Sequence, residues 1–317
     1  MSLAEALMRN VRIGTVTLLL LAGCDVADWA HSSRYKEDFH YSYTLKPGAR
    51  LYVENFNGSI EITGWNQDKA EITGTKYASS RDLLDALRVD IVAAEDSLRI
   101  RTVRPSERRG NMGARYVIRL PRRVTLERIE SSNGALRVEN IEGEARLRTS
   151  NGSLRLAGLS GDVEAHTSNG GVELDDVEGR IFVRTSNGSI RGTALRGTLD
   201  AATSNGTIRA SVTRLSGRHR LRAVTSNGSI ELELPEVASD VEAQTSNGAI
   251  TLRLPASISA DVRAATSNST ITTEFDLRVR GPMSKTRLEG TIGSGGPVLN
   301  LKTSNGAIRL LKAASGS

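Results

Sequence analysis

The chain has 317 residues, a net charge of +6 from 42 basic and 36 acidic side chains, one cysteine and only 4% aromatic residues. So few aromatics exclude one bulky globular core and favour thin layers of Val, Ile, Leu and Ala. A lone cysteine excludes an internal disulfide, and no block of five or six like charges points to nucleic acid as a partner.

Arg9 and Arg12 precede a short apolar run, Ile13 to Leu21, which leads into Leu21-Ala22-Gly23-Cys24. A run this short suits the core of a signal peptide better than a membrane-spanning helix. Its last four residues resemble a bacterial lipobox. Residues 1–23 are therefore expected to be a lipoprotein signal peptide, with translation starting at Met1 or Met8, and Cys24 the lipidated first residue of the mature chain. Asp25 resembles an inner-membrane retention signal. That favours the periplasmic face of the inner membrane in a Gram-negative cell, and otherwise the outer membrane or cell surface.

Residues 24–44 read as a tether leading into a first strand, and residues 45–130 as irregular β rungs. Within them "LYVENFNGSIEITGW" (Leu51 to Trp65) places Asn57-Gly58 in a turn between alternating segments. The stretch Ser79 to Leu87 has helical spacing, with Ser80 or Asp82 as its cap.

From 131 to 313 the chain is a repeat, followed by a short tail, 314–317. Thr149, Thr167, Thr185, Thr203, Thr225, Thr245 and Thr303 each open a Thr-Ser-Asn-Gly; Ser131 and Thr266 open near-copies. The turn pairs are Asn133-Gly134, Asn151-Gly152, Asn169-Gly170, Asn187-Gly188, Asn205-Gly206, Asn227-Gly228, Asn247-Gly248 and Asn305-Gly306. The first five asparagines are 18 residues apart; the next gaps are 22, 20 and 21, to Asn268, and a gap of 37 to Asn305 suggests a missing or rebuilt unit. Three residues after each Asn stands an apolar residue (Leu136, Leu154, Val172, Ile190), and four before it another (Ile129, Leu147, Ala165, Val183). The flanking positions are polar, so the period is two on both sides of the turn.

Asn-Gly between alternating runs is a hairpin signal, because Gly accepts positive φ and Asn tolerates the left-handed region. A hairpin meander, however, would leave one apolar face without a cover, and the repeat contains no amphipathic helix to supply it. Coiling each unit once and stacking it on the last buries both apolar columns. The expected fold is therefore all-β: a single-stranded, right-handed β-solenoid of 18- to 22-residue rungs, spaced about 4.8 Å apart. The left-handed hexapeptide helix fails, since Val163, Asn169 and Asp175 do not keep an apolar residue every six.

With "VENFNGSIEITGW", the repeated turn and the terminal "LEGTIGSGGPVLNLKTSNGAIRL" (Leu288 to Leu310), the chain resembles the bacterial DUF4097 family of adhesin-like β-helix domains, over roughly Leu45 to Leu311. The resemblance implies a β-solenoid outside the cytoplasm and no known catalytic site.

The expected function is a membrane-anchored cell-envelope lipoprotein with a binding or scaffolding solenoid, using no cofactor or metal. The alternatives are an envelope-stress sensor and a glycan-active enzyme of the lyase or hydrolase kind. For the enzyme reading Arg184, Asp200 and Arg222 stand in neighbouring outward columns, but a serine repeated in every unit is how structure is written. Arg137, Arg155, Arg191 and Arg209 share an outward column with Glu173 and Glu231. They form the expected face for an anionic partner: an acidic glycan, a lipid headgroup or an envelope protein.

Overall fold

The computed structural model describes residues 34–105, 110–215, 220–279 and 284–313. The expected signal peptide, Cys24, Asp25 and the tail 314–317 lie outside the described residues. The described residues form 25 strands and one six-residue helix.

Each repeat unit contributes one strand before its Asn-Gly turn and one after it. The two strands flanking a turn do not pair with each other, as a hairpin would require. Each pairs in parallel with its equivalent in the next unit. Leu147 lies beside Ala165, Ala165 beside Val183, Val183 beside Ala201 and Ala201 beside Ala223. After the turn, Leu136, Leu154, Val172, Ile190, Ile208 and Ile230 run in the same way. The fold is a β-solenoid, with both apolar columns in one continuous core. Members of these columns are at most 2% exposed, and each fully buried Leu, Ile or Val contributes about 1.5–3 kcal/mol.

A second corner closes each regular unit. Gly143, Gly161, Gly179 and Gly197 turn there with φ between 115° and 153°. Three residues earlier, Asn140, Gly158, Asp176 and Ala194 hold a stacked left-handed bulge, φ 51° to 63°.

Both ends depart from sequence order. Residues 35–44, expected as tether, form strand β1 (Tyr35–Thr44). Next come β2 (Ala49–Asn57), β3 (Ile60–Trp65), β4 (Lys69–Ala78), helix α1 (Arg81–Ala86), β5 (Arg88–Ala94), β6 (Ser97–Val103) and β7 (Met112–Pro121). β8 (Val124–Asn133) and β9 (Leu136–Glu142) open the regular stack. The rung made by β2 and β3 lies between β6–β7 on one side and β8–β9 on the other. The chain thus lays one rung, leaves through β4 and α1, returns beneath that rung, and then crosses above it. Ser80 caps α1 by accepting from the Leu83 amide, and Leu83 and Leu84 are buried with Met112.

The C-terminal end mirrors this. Val298–Lys302 and Ile308–Lys312 enter between the Asn247 rung and the Asn268 rung. The 37-residue gap therefore holds no lost unit. It holds Leu277–Val279 and Arg287–Ile292, which pair antiparallel at the end of the stack, followed by a last rung slotted back inside it. At the other end β1, β4 and β5 also pair antiparallel. Antiparallel closure keeps an exposed parallel edge from templating another chain.

Candidate binding surfaces

The repeated turn is a structural device, and its chemistry differs from the expectation. Neither the Asn nor the Gly from Asn133-Gly134 to Asn305-Gly306 adopts positive φ; only Gly58, in the first copy, does so, at 116°. Glycine is required because the rungs nearly touch. A Cβ on Gly152, Gly170, Gly188, Gly206, Gly228 or Gly248 would stand 1.9 Å from the carbonyl oxygen of the glycine one rung back. The asparagines form an axial ladder, each Nδ2 donating to the Oδ1 of its neighbour at 2.7–2.8 Å, in the order 133, 151, 169, 187, 205, 227, 247, 305, 268. Each turn threonine is buried and donates its hydroxyl to the preceding rung's glycine carbonyl; Thr203 does so to Gly188 at 2.8 Å.

The arginine column is real as a column but is not uniformly basic. Arg137 pairs with Glu139 at 2.6 Å, and Arg155 reaches Glu173 at 3.8 Å. Arg209 grips Glu231 with two bonds of 2.8 and 3.0 Å, and that grip holds the Glu231 carboxyl below its ordinary pKa. Arg191, although it stands beside Glu173 in register, makes no ion pair among the described residues. It borders a shallow groove of about 310 Å³ with Thr193, Ser211 and Arg253.

On the opposite face, the strands before the turn bring Arg184, Asp200 and Arg222 together: register sets Arg222 beside Asp200, whereas Arg184 lies in register with Ala202 and reaches the carboxylate diagonally. Arg184 Nη2 lies 2.9 Å from Asp200, and Arg222 Nη1 lies 3.4 Å from the same carboxylate. The sequence reading passed over Phe182, which sits beside Asp200 in the outward column. The Arg184 guanidinium lies 3.9 Å above the Phe182 ring, and the His166 ring is 5.4 Å away. His166 in turn meets Glu164 at 3.0 Å. A groove of about 470 Å³ passes over Phe182, from Glu144 and Arg146 at one end to Arg220 at the other. Asp162 and Arg180, on adjacent rungs of its lining, pair with each other, and the Arg180 hydrogen bond holds the Asp162 carboxyl below its ordinary pKa. Carboxylates fixed by guanidinium are kept ionised, which suits hydrogen bonding to a ligand better than proton donation. The signal for Phe182 was available: it is a lone aromatic among charged residues in an outward column.

A family model described as Toastrack DUF4097 matches residues 114–311. Among solved structures, a Clostridium sporogenes protein described as a "putative cell adhesion protein" aligns at 11% identity and TM-score 0.22, covering 87% of this chain and 100% of its own. A Bacteroides fragilis "putative adhesin" aligns at 12% identity and TM-score 0.37, covering 87% and 97%. A search of curated proteins found no match.

Proposed function

The chain belongs to the Toastrack DUF4097 family, and from that premise we propose that it is a membrane-anchored lipoprotein of the cell envelope whose solenoid serves as a binding or scaffolding module. The observation that carries this reading is the axial ladder. Nine asparagines and their threonines tie successive rungs side chain to backbone and side chain to side chain. That construction makes a stiff rod with outward columns in fixed register, a geometry suited to presenting surface rather than to closing around a reaction. The lipobox at Leu21-Ala22-Gly23-Cys24 supplies the anchor. The partner is an envelope component that meets one of the two outward faces.

Cys24→Ser tests the anchor. The variant should lose labelling by a fatty-acid probe and leave the membrane fraction, because several acyl chains hold firmly where one holds marginally. Unchanged labelling would overturn the lipoprotein reading.

A further inference from the structure

We infer that the groove over Phe182 is a binding site for a neutral saccharide chain lying along the solenoid axis. Between residues 131 and 313 the sequence has only two aromatic residues, Phe182 and Phe275. Phe275 is buried, at 6% exposure. Phe182 instead occupies an outward column whose other members are Arg146, Glu164, Asp200, Arg222 and Glu242. The ring is half-buried under Arg184 and still lines the groove. An apolar ring in a charged column has a reason to be there if a ligand brings an apolar face to it.

Length and polarity narrow the ligand. The groove runs from Glu144 to Arg220 across five successive rungs, about 19 Å at the ordinary strand spacing. Among the described residues the lining carries four carboxylates (Glu144, Asp162, Glu164, Asp200) against three guanidiniums (Arg146, Arg180, Arg220). These residues give no positive excess to select an anion. What the groove offers is alternating donors and acceptors, such as Arg146 with Glu144 at 2.8 Å and Arg180 with Asp162 at 2.8 Å. A sugar ring matches that pattern, with an apolar C–H face for the phenyl ring and hydroxyls that both donate and accept. An extended peptide fits less well, because the strands here are paired on both sides and lend no backbone groups for strand addition.

This inference rests on the binding-module reading only in taking the solenoid to be a binding surface; acylation of Cys24 is scored separately, so the two fail independently. The full chain is titrated calorimetrically with cellohexaose, chitohexaose, maltohexaose and, as an anionic control, a galacturonic acid hexamer. At least one neutral hexasaccharide should bind. Phe182→Ala and Phe182→Leu should each weaken it roughly tenfold, at an unchanged melting temperature for the leucine variant. Phe182→Trp should keep it, and Arg191→Gln on the other face should change nothing. Binding by none of the neutral sugars, binding of the galacturonic acid hexamer alone, or undiminished binding by Phe182→Leu would each overturn the site.

Discussion

The two corners of a rung obey different rules. At the Thr-Ser-Asn-Gly corner four letters repeat and the length never changes. At the opposite corner only glycine repeats, between neighbours as unlike as Ser160-Gly161-Asp162 and Glu178-Gly179-Arg180, and every lengthening from 18 to 22, 20 or 21 residues falls there. Both corners bring backbone close to the next rung: a Cβ on Gly179 would meet the Gly161 carbonyl at 2.2 Å, one on Gly188 the Gly170 carbonyl at 1.9 Å. The difference lies in the side chains. Thr and Asn bond along the axis at the first corner, so each rung dictates the next. At the second, contacts are surface pairs such as Arg196 with Glu178 at 3.1 Å, worth about 0–1 kcal/mol and replaceable. Identity is enforced where side chains carry the stacking.

The largest effect should come from Gly188→Ala. The new methyl has no flexible neighbour to displace, only backbone, so rungs must separate. A cost of about 3 kcal/mol or more is expected, read as a fall in the denaturation midpoint. A shift within experimental error would mean that the close approach is not what selects glycine.

Insertion separates the corners next. Two residues, Gly-Ser, placed between Glu236 and Val237 in the second corner should cost less than about 1 kcal/mol, since loop closure depends weakly on length. The same pair placed between Asn187 and Gly188 should break two ladders and cost several times more. Equal losses at the two positions would erase the distinction. Thr203→Val tests one ladder bond alone. It keeps the shape and removes the 2.8 Å donation to the Gly188 carbonyl, for about 1–2 kcal/mol. A neutral result in thermal melts would make the threonine ladder ornamental.

Much of this was legible in the sequence, and what was not has identifiable causes. Period-two alternation around each Asn placed Ile190 and Val183 inside and Arg191 outside, because strand geometry is local. The reason for glycine was misread because Asn-Gly carries a strong local hairpin preference, whereas contact between rungs is a tertiary fact. The slotted rungs at Asn57 and Asn305 were invisible because a strand's pattern records that it is half-buried, not which neighbour it has. Register showed that Arg191 and Arg209 stack, but the choice of Glu231 by Arg209 depends on rotamers. Phe182 was readable as an aromatic in an outward column, but the period-two pattern that marks a position as outward does not say whether its ring meets a ligand or a neighbouring side chain.

The smallest effect concerns the bulge before the second corner. Ala194 holds φ at 53° in a column shared with Asn140, Gly158 and Asp176. Left-handed backbone costs an ordinary L-residue roughly 1–2 kcal/mol, with Asn and Asp paying less because their side chains can bond locally. Ala194 has no such bond to offer. The next rung has one residue fewer here, since Leu195 pairs with Val212 although it lies eight residues past its turn asparagine and Val212 only seven past its own. The bulge column thus ends at Ala194, its least suited member. Ala194→Gly removes the Cβ strain and adds chain entropy to the unfolded state, two terms of opposite sign and similar size. The strain is the larger, so a stabilisation of about 0.5–1 kcal/mol is expected. Asn187→Gly supplies the opposite sign: its backbone has no positive φ to relieve, and it loses its bonds to Asn169 at 2.7 Å and from Asn205 at 2.8 Å. Paired denaturation curves that move in opposite directions would show that one corner is ruled by conformation and the other by contact along the axis; curves that move together would show that they are not.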